Sequence, residues 1–405
     1  MSRQTFRRSA ALAAFAAVAL LCAPAARAQS SGGADAGVMK FGPITIKPTF
    51  LVRNIGRDNN VFNDAVNPKK DFTMTLSPGA EIVFQPRRLK LTYTQATDYV
   101  YFRTYKEERS TNQLSSVRAD LDLGVLQPYI GTGGLSTKAR LNHEIDARAR
   151  HNDRSYIAGV TARLFTGTTF RVGVRQLTTR FDDVEEFRGQ RLADSLNSRL
   201  EAVEGALGVA LTPLTSISLQ VAKERQVFDR ARERDSDTLR VMPTLTFSPL
   251  GLINGSVAVG YRKFTARDPA TPEYSGLVAA VGAGVTLFDN HRVDVSVIRD
   301  LNYSYDRDTP YFVGTSATVT WTYAVAGPFD IKLSAMRDRM HYRGSGVTPA
   351  SDEDNYDEYG AGLGYRFRRR LRLGLQGDFA RRESDKANDR NYDNHRIYGT
   401  LTWGT

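Results

Sequence analysis

The sequence predicts an all-β transmembrane antiparallel up-and-down β-barrel of about eighteen strands, with sixteen as the alternative. Three observations point there: a period of two held over long segments, connectors that alternate between short and long, and an export signal at the N-terminus. From Phe72 to Phe84 the even positions Phe72, Met74, Leu76, Pro78, Ala80, Ile82 and Phe84 are uncharged, and mostly polar residues stand between them. That run is about twice an ordinary soluble strand. A chain that keeps offering one apolar and one wet face at this length fits a bilayer crossing.

At the N-terminus, Arg3, Arg7 and Arg8 precede an apolar run from Ala10 to Cys22, followed by Pro24 and Ala26-Arg27-Ala28. Residues 1–28 therefore read as a signal peptide cleaved before Gln29, the run being short for a membrane-spanning helix. Arg7-Arg8 resembles a twin-arginine pair, but a barrel crosses the inner membrane unfolded, so general secretion is expected. Leu21 stands where a lipoprotein signal has a small residue, which argues against Cys22 as a lipid anchor. Residues 29–43 read as a flexible segment, containing the Gly/Ser-rich 30–37, and 44–405 as one barrel domain. Loss of Arg3, Arg7, Arg8 and Arg27, with no acids, lowers the formal charge from +11 to +7. Cys22 is the only cysteine, so disulfide and thiol chemistry are not expected in the mature chain. Basic residues are scattered among acids without a cluster, which excludes a nucleic-acid partner.

The strand candidates follow in order. Val117, Ala119, Leu121, Leu123 and Val125 alternate with Arg118, Asp120, Asp122 and Gly124. Leu135, Ala139, Leu141, Ile145 and Ala147 alternate with Ser136, Lys138, Arg140, Glu144 and Asp146. Leu239 to Phe247, Val293 to Tyr305, Tyr311 to Val325 and Ile397 to Trp403 repeat the pattern, none with a helical spacing. Short connectors are 85–88, 127–131, 165–168, 212–215, 248–251, 288–291, 326–329 and 368–370. Longer charged ones are 54–70, 106–113, 182–195, 229–236, 266–274, 343–356 and 384–394, with brief members at 151–154 and 306–310. Short turns on one side and long loops on the other match periplasmic and extracellular ends, so both termini are expected in the periplasm of a Gram-negative bacterium. Aromatic residues near strand ends, such as Tyr99, Tyr101, Phe102 and Tyr105, or Tyr365 and Phe367, fit interfacial girdles.

Parity assigns an inward face to Lys47, Arg53, Arg118, Asp120, Asp122, Lys138, Arg140, Glu144, Asp146, Arg148, Arg171, Arg175, Arg240, Arg262, Arg292, Asp294, Asp300, Lys332, Arg366, Arg372 and Asp378. Charges at that density require water or cross-strand pairs, and a barrel this wide admits an aqueous lumen. Two readings of the arginines stand open: a field favouring anions, or pairing with acids on adjacent strands. The five histidines, His143, His151, His291, His341 and His395, sit without a serine or acid constellation; His143 falls on the lipid-facing parity. No catalytic residue, metal site or cofactor is expected. Asp352, Glu353, Asp354, Asp357 and Glu358 read as an acidic loop patch, as do Asp182, Asp183, Glu185 and Glu186; a solvated face and a cation bridge to lipopolysaccharide are the alternatives. Asp58, Asn59 and Asn60 invite a calcium reading but lack an EF-hand's glycine and closing glutamate.

The segment RNIGRDNNVF (53–62) after the strand PTFLV, with the turns TPLT and SPLG, resembles the outer-membrane β-barrel porin type 2 family. That resemblance implies an outer-membrane barrel associated with exopolysaccharide synthesis and export, and it supplies no catalytic residues. Its expected partners are outer-membrane lipid, lipopolysaccharide, the barrel-assembly machinery and a polysaccharide. Trp403 is followed by Gly404 and Thr405, a departure from a terminal aromatic. The expected function is a water-filled pore for hydrophilic solutes linked to polysaccharide export, against a general diffusion porin or a plugged, adhesin-like barrel.

Overall fold

A computed structural model describes residues 38–248, 252–325, 327–344, 352–367, 371–385 and 388–403. The expected signal peptide and the Gly/Ser-rich stretch 30–37 lie outside the described residues, as do Gly404 and Thr405. Eighteen long strands form the wall. The first seven are β1 (Ile44–Asp58), β2 (Asp71–Phe84), β3 (Leu89–Phe102), β4 (Ser110–Leu121), β5 (Leu126–Thr137), β6 (His151–Phe165) and β7 (Thr168–Phe181). Next come β8 (Ser198–Thr212), β9 (Thr215–Phe228), β10 (Ser236–Phe247), β11 (Ile253–Ala266), β12 (Tyr274–Leu287) and β13 (His291–Tyr303). The last five are β14 (Tyr311–Ala324), β15 (Phe329–Arg343), β16 (Glu353–Phe367), β17 (Leu371–Ser384) and β18 (Tyr392–Trp403). Each pairs antiparallel with the next, and β18 pairs back with β1, so the sheet closes on itself.

The two faces separate as the parity requires. On β9, Ile217, Leu219 and Val221 are exposed on the outside while Ala222 and Glu224 are buried inside. Val172, Val174, Val203, Leu207, Leu333, Leu363, Leu373 and Leu375 continue that apolar outer belt. Exposed rings border it at both ends: Tyr99, Tyr101, Tyr156, Tyr261 and Tyr359 towards the loops, and Phe165, Phe288, Phe329, Tyr365 and Phe367 towards the turns. A contiguous apolar girdle of this extent is unstable in water and stable against acyl chains.

The closing seam carries a bulge. The β1–β18 register shifts between Val52 and Ile55, with Asn54 at φ 56°, where an Asn side chain tolerates the left-handed region. A Cβ on Gly56 would lie 2.0 Å from the Ile397 carbonyl oxygen, so only glycine lets the strands meet there. The DNNVF stretch beyond it clasps the last strand. Asn59 N donates to the His395 carbonyl (3.2 Å), His395 N donates to Asn59 Oδ1 (2.7 Å), and Asn394 Nδ2 donates to the Asn60 carbonyl (3.1 Å). Asn60 is buried, and its side chain spans the loop by donating to, and accepting from, the backbone of Asp64 (2.9 Å each). The asparagines expected as a weak calcium site thus spend their polar atoms on closure.

Several sequence-based boundaries are corrected. Residues 127–131 are not a turn but lie in β5, where Pro128 pairs with Val160; the turn is at 122–125, with Gly124 at φ 86°. Residues 151–154 are not a loop but the start of β6, and 138–147 is not a strand but part of a loop over 138–150. Within 29–43, expected to be flexible, Met39–Phe41 pairs with Ile44–Ile46. The β12–β13 ladder stops at Ala279–Arg299 although both strands run on. Beyond that point Leu301, Tyr311 and Val313 pack with Phe264 and Tyr274, and the Tyr311 hydroxyl donates to the Pro272 carbonyl (2.9 Å).

Asn60→Ala removes the side chain that spans the loop, with its two hydrogen bonds to the Asp64 backbone, each worth about 0.5–1.5 kcal/mol. The heat-modifiable folded band should convert to the unfolded form at a lower temperature than wild type; an unchanged transition would contradict this role.

Candidate lumen constriction

Residues 138–150 leave the wall between β5 and β6 and cross to the far side of the barrel. At the near side, Asn112 Oδ1 accepts from Lys138 N (2.8 Å), and Lys138 Nζ donates to the Glu107 carbonyl (2.9 Å). Arg140 donates to the carbonyls of Asp146 and Val61, the latter at 2.8 Å, and Arg148 stacks over the Phe102 ring at 4.0 Å. Burial, then the neighbouring Arg140 charge, lowers the Arg148 pKa below its ordinary value. Asn142 Oδ1 accepts from Ile145 N (2.7 Å), an Asx-type turn that reverses the chain at the segment's tip.

The tip is held by strands on the opposite wall. His143 Nδ1 lies 2.7 Å from Asp338 Oδ2 on β15, and its ring stacks on Tyr356 of β16 at 3.9 Å. Arg382 of β17 donates to the His143 carbonyl and pairs with Asp146 (3.0 Å) and Asp354 (2.5 Å). Arg390 pairs with the same Asp354 (3.1 Å) and donates to the Glu144 carbonyl (2.6 Å), while the Tyr342 hydroxyl donates to Asp354 (2.9 Å). Arg382 and Asp354 side chains are both fully buried, so this pair is desolvated and depends on its partners being in place.

An apolar cluster covers the other side of the segment. Ile145 and Ala149 pack with Phe181, Phe187 and Tyr305 and with the short helix α1 (Leu192–Leu196), whose Leu192, Ala193 and Leu196 are buried. Ser304 Oγ donates to Glu144 Oε1 (2.5 Å), and Arg234 holds the carbonyls of Ser304 and Asp306, the latter at 2.6 Å. Three loops thereby pack on one another across the loop end of the lumen.

Below this crossing, the inward charges are laced together. Arg175 reaches Glu204 (3.2 Å) and Glu224 (3.0 Å), Arg240 reaches Glu224 (3.8 Å) and Asp300 (2.9 Å), and Arg262 reaches Asp300 (2.7 Å). That ladder links β7, β8, β9, β10 and β11 to β13, passing over the uncharged β12. Arg372 and Arg366 share Asp330 at 2.5 and 3.5 Å, and Arg396 bridges Glu358 (3.0 Å) and Asp378 (3.3 Å). Arg118–Asp120 (2.7 Å) and Arg292–Asp294 (2.6 Å) are same-face neighbours two residues apart, and Arg53 pairs with Asp98 (2.5 Å). Arg171 forms no ion pair among the described residues.

Of the residues assigned to the lumen wall, Lys138, Arg140, Glu144, Asp146 and Arg148 belong to the crossing segment, and Asp122 lies in the turn at 122–125. His143, assigned to lipid, faces the lumen instead, because the segment carrying it is not a strand. The acidic patch is not a loop patch, since Glu353 to Glu358 lie on β16 and alternate in facing. Asp354 and Glu358 point inward to Arg382 and Arg396, whereas Asp357 pairs outside with Arg337 (2.6 Å) and Glu353 lies 3.0 Å from His341. Asp352 lies one residue before that strand, its carbonyl accepting from Tyr342 N (3.1 Å). Among the described residues no cluster of His, Cys, Asp and Glu could hold a metal ion. Sequence parity alone passed over Glu204, Glu224, Asp330, Arg382 and Arg396, whose inward positions follow from the same alternation.

A closed barrel with a polar, crossed lumen is a channel architecture, and a family model described as "Putative beta-barrel porin 2" matches residues 34–403. The chain belongs to this family. Membership in the β-barrel porin 2 family makes it a porin-like outer-membrane barrel and points to a channel rather than an enzyme. Its fold is similar to OccK2 (OpdF) of Pseudomonas aeruginosa, with a TM-score of 0.51 and 12% identity over 88% of this chain and 97% of that one. A BenF-like porin from Pseudomonas fluorescens Pf-5 gives a TM-score of 0.49 and 12% identity over 88% and 98% of the respective chains. Among curated proteins none matches significantly.

Replacing Arg382 with Met leaves Asp354 and Asp146 without their shared partner, a change worth about 3–5 kcal/mol for a buried pair. The wall should persist while amides of 141–149 exchange hydrogen at least ten-fold faster; unchanged protection there would show that the arginine does not seat the segment.

Proposed function

We propose that the protein is a channel of the Gram-negative outer membrane, with both termini in the periplasm and the long loops outside. Hydrophilic solutes pass through a lumen narrowed by residues 138–150. The observation that carries this reading is the desolvated seat of that segment, Arg382 with Asp354, Asp146 and Arg390, on the wall opposite its origin. The paired ladder from Arg175 to Arg262 balances positive against negative charge along the wall, so it leaves little net field. Exopolysaccharide export is the finer reading that the family resemblance suggests, and general diffusion of small solutes fits the same barrel equally. A crossing segment this firmly held favours small solutes, because a polymer needs the segment to swing aside.

Planar-bilayer conductance tests the reading. A variant lacking 140–148, and independently Ile145→Asp with the segment intact but unseated, should conduct several-fold more than wild type. Equal conductance in all three would remove the segment as the constriction. Reversal potentials in a salt gradient should show weak selectivity, since most of the lining arginines are paired; strong anion selectivity would contradict that arrangement.

A further inference from the structure

The wall from β4 to β10 is not convex. On the membrane side it forms a hollow of about 910 Å³ whose floor carries Val117, Ile130, Tyr156, Val174 and Val203. Inward-facing glycines let the wall sink there. Gly159 and Gly173 leave room for the Tyr129 hydroxyl, which would lie 2.6 Å from a Cβ at either position, and Gly131 and Gly133 sit on the adjoining strand. At its loop-end rim, the hollow is bordered by Lys223, Arg225 and Arg267 against Glu201 and Asp237.

The rim holds more cations than acids. On β15 to β18, outward charges alternate across neighbouring strands and pair, Arg337 with Asp357 (2.6 Å) and Arg381 with Asp393 (2.8 Å). At the hollow, Arg267 pairs with Asp237 (3.1 Å), while Arg225, set between Glu201 and Asp237 in the register, and Lys223 form no ion pair among the described residues. Outward Arg199 and Lys263 flank them on β8 and β11. The hollow is thus apolar below and carries spare positive charge above, at the level where lipid headgroups begin.

We propose that this hollow is a specific site for a phosphorylated glycolipid of the outer leaflet, with acyl chains in the hollow and phosphates on Lys223 and Arg225. The proposal rests on the orientation given above, in which the loop end meets the outer leaflet. The chemistry selects against a second copy of the chain: an isologous contact would face hollow to hollow and cation to cation. Anionic headgroups over acyl chains match both parts of the site, and each phosphate offers acceptors to Lys and Arg.

Native mass spectrometry of the protein, released from outer membranes in mild detergent, reads out the bound lipid. Wild type should retain lipopolysaccharide-derived glycolipid, and Lys223→Glu/Arg225→Glu should lower its occupancy at least ten-fold. The same samples reconstituted in lipopolysaccharide-containing and phosphatidylglycerol-containing vesicles separate the sources. Retention from the first alone supports the site; equal occupancy in wild type and variant, preferential retention of phosphatidylglycerol, or a dimer filling the hollow overturns it. Heat-modifiability and conductance of the variant should match wild type, because the hollow faces away from the lumen. Conductance lost in wild type as well would instead indict the channel reading.

Discussion

The constraint on which the structure depends is the pairing of backbone polar groups where no water can reach them. In hydrocarbon an unpaired N–H or C=O costs several kcal/mol, so the sheet has to close. Here closure falls between β1 and β18, and its local chemistry is unusual: a bulge at Val52–Ile55, a glycine that lets the Ile397 carbonyl approach, and an asparagine loop that grips the last strand. The ladder gives way at β12–β13, towards the loops. There side chains supply partners in place of the ladder, Tyr274 Oη donating to the Leu277 carbonyl (3.1 Å) and Arg262 to that of Leu301 (3.4 Å).

Closure fixes a second consequence. An eighteen-stranded wall encloses more space than its own inward side chains fill. The chain uses that space by laying 138–150 across it and pinning the tip by buried ion pairs to strands distant in sequence. A desolvated Arg–Asp pair is poor at adding stability but discriminating in geometry, since it tolerates few other arrangements. The segment is therefore held in one place rather than merely collapsed into the lumen, as the stacking of His143 on Tyr356 also indicates.

Much of the wall is legible in the sequence because lipid and water impose a period of two that no soluble helix shares. The even strand number and the two aromatic borders follow from that alternation, which also puts arginines and acids on one face while leaving open which of them pair. The crossing segment defeats the same logic for a physical reason. Its Leu141, Ile145 and Ala147 pack on an apolar cluster while Arg140, Glu144 and Asp146 enter a polar network, so it too has two faces. The clues that it is no strand lie where the alternation skips, at Thr137 and His143, and at Asn142, whose side chain caps a turn. QPYIG misleads in the opposite direction: proline and glycine suggest a turn, yet Pro128 fits within a strand and the reversal falls on Gly124.

The most direct test of the central claim is oxygen and nickel-chelate accessibility of spin labels placed one at a time at 217–221 in lipid vesicles. Positions 217, 219 and 221 should favour oxygen, and 218 and 220 should favour the chelate. Loss of that period of two along β9, or chelate reaching 217, 219 and 221 as freely as 218 and 220, would contradict a lipid-facing wall around a hydrated lumen.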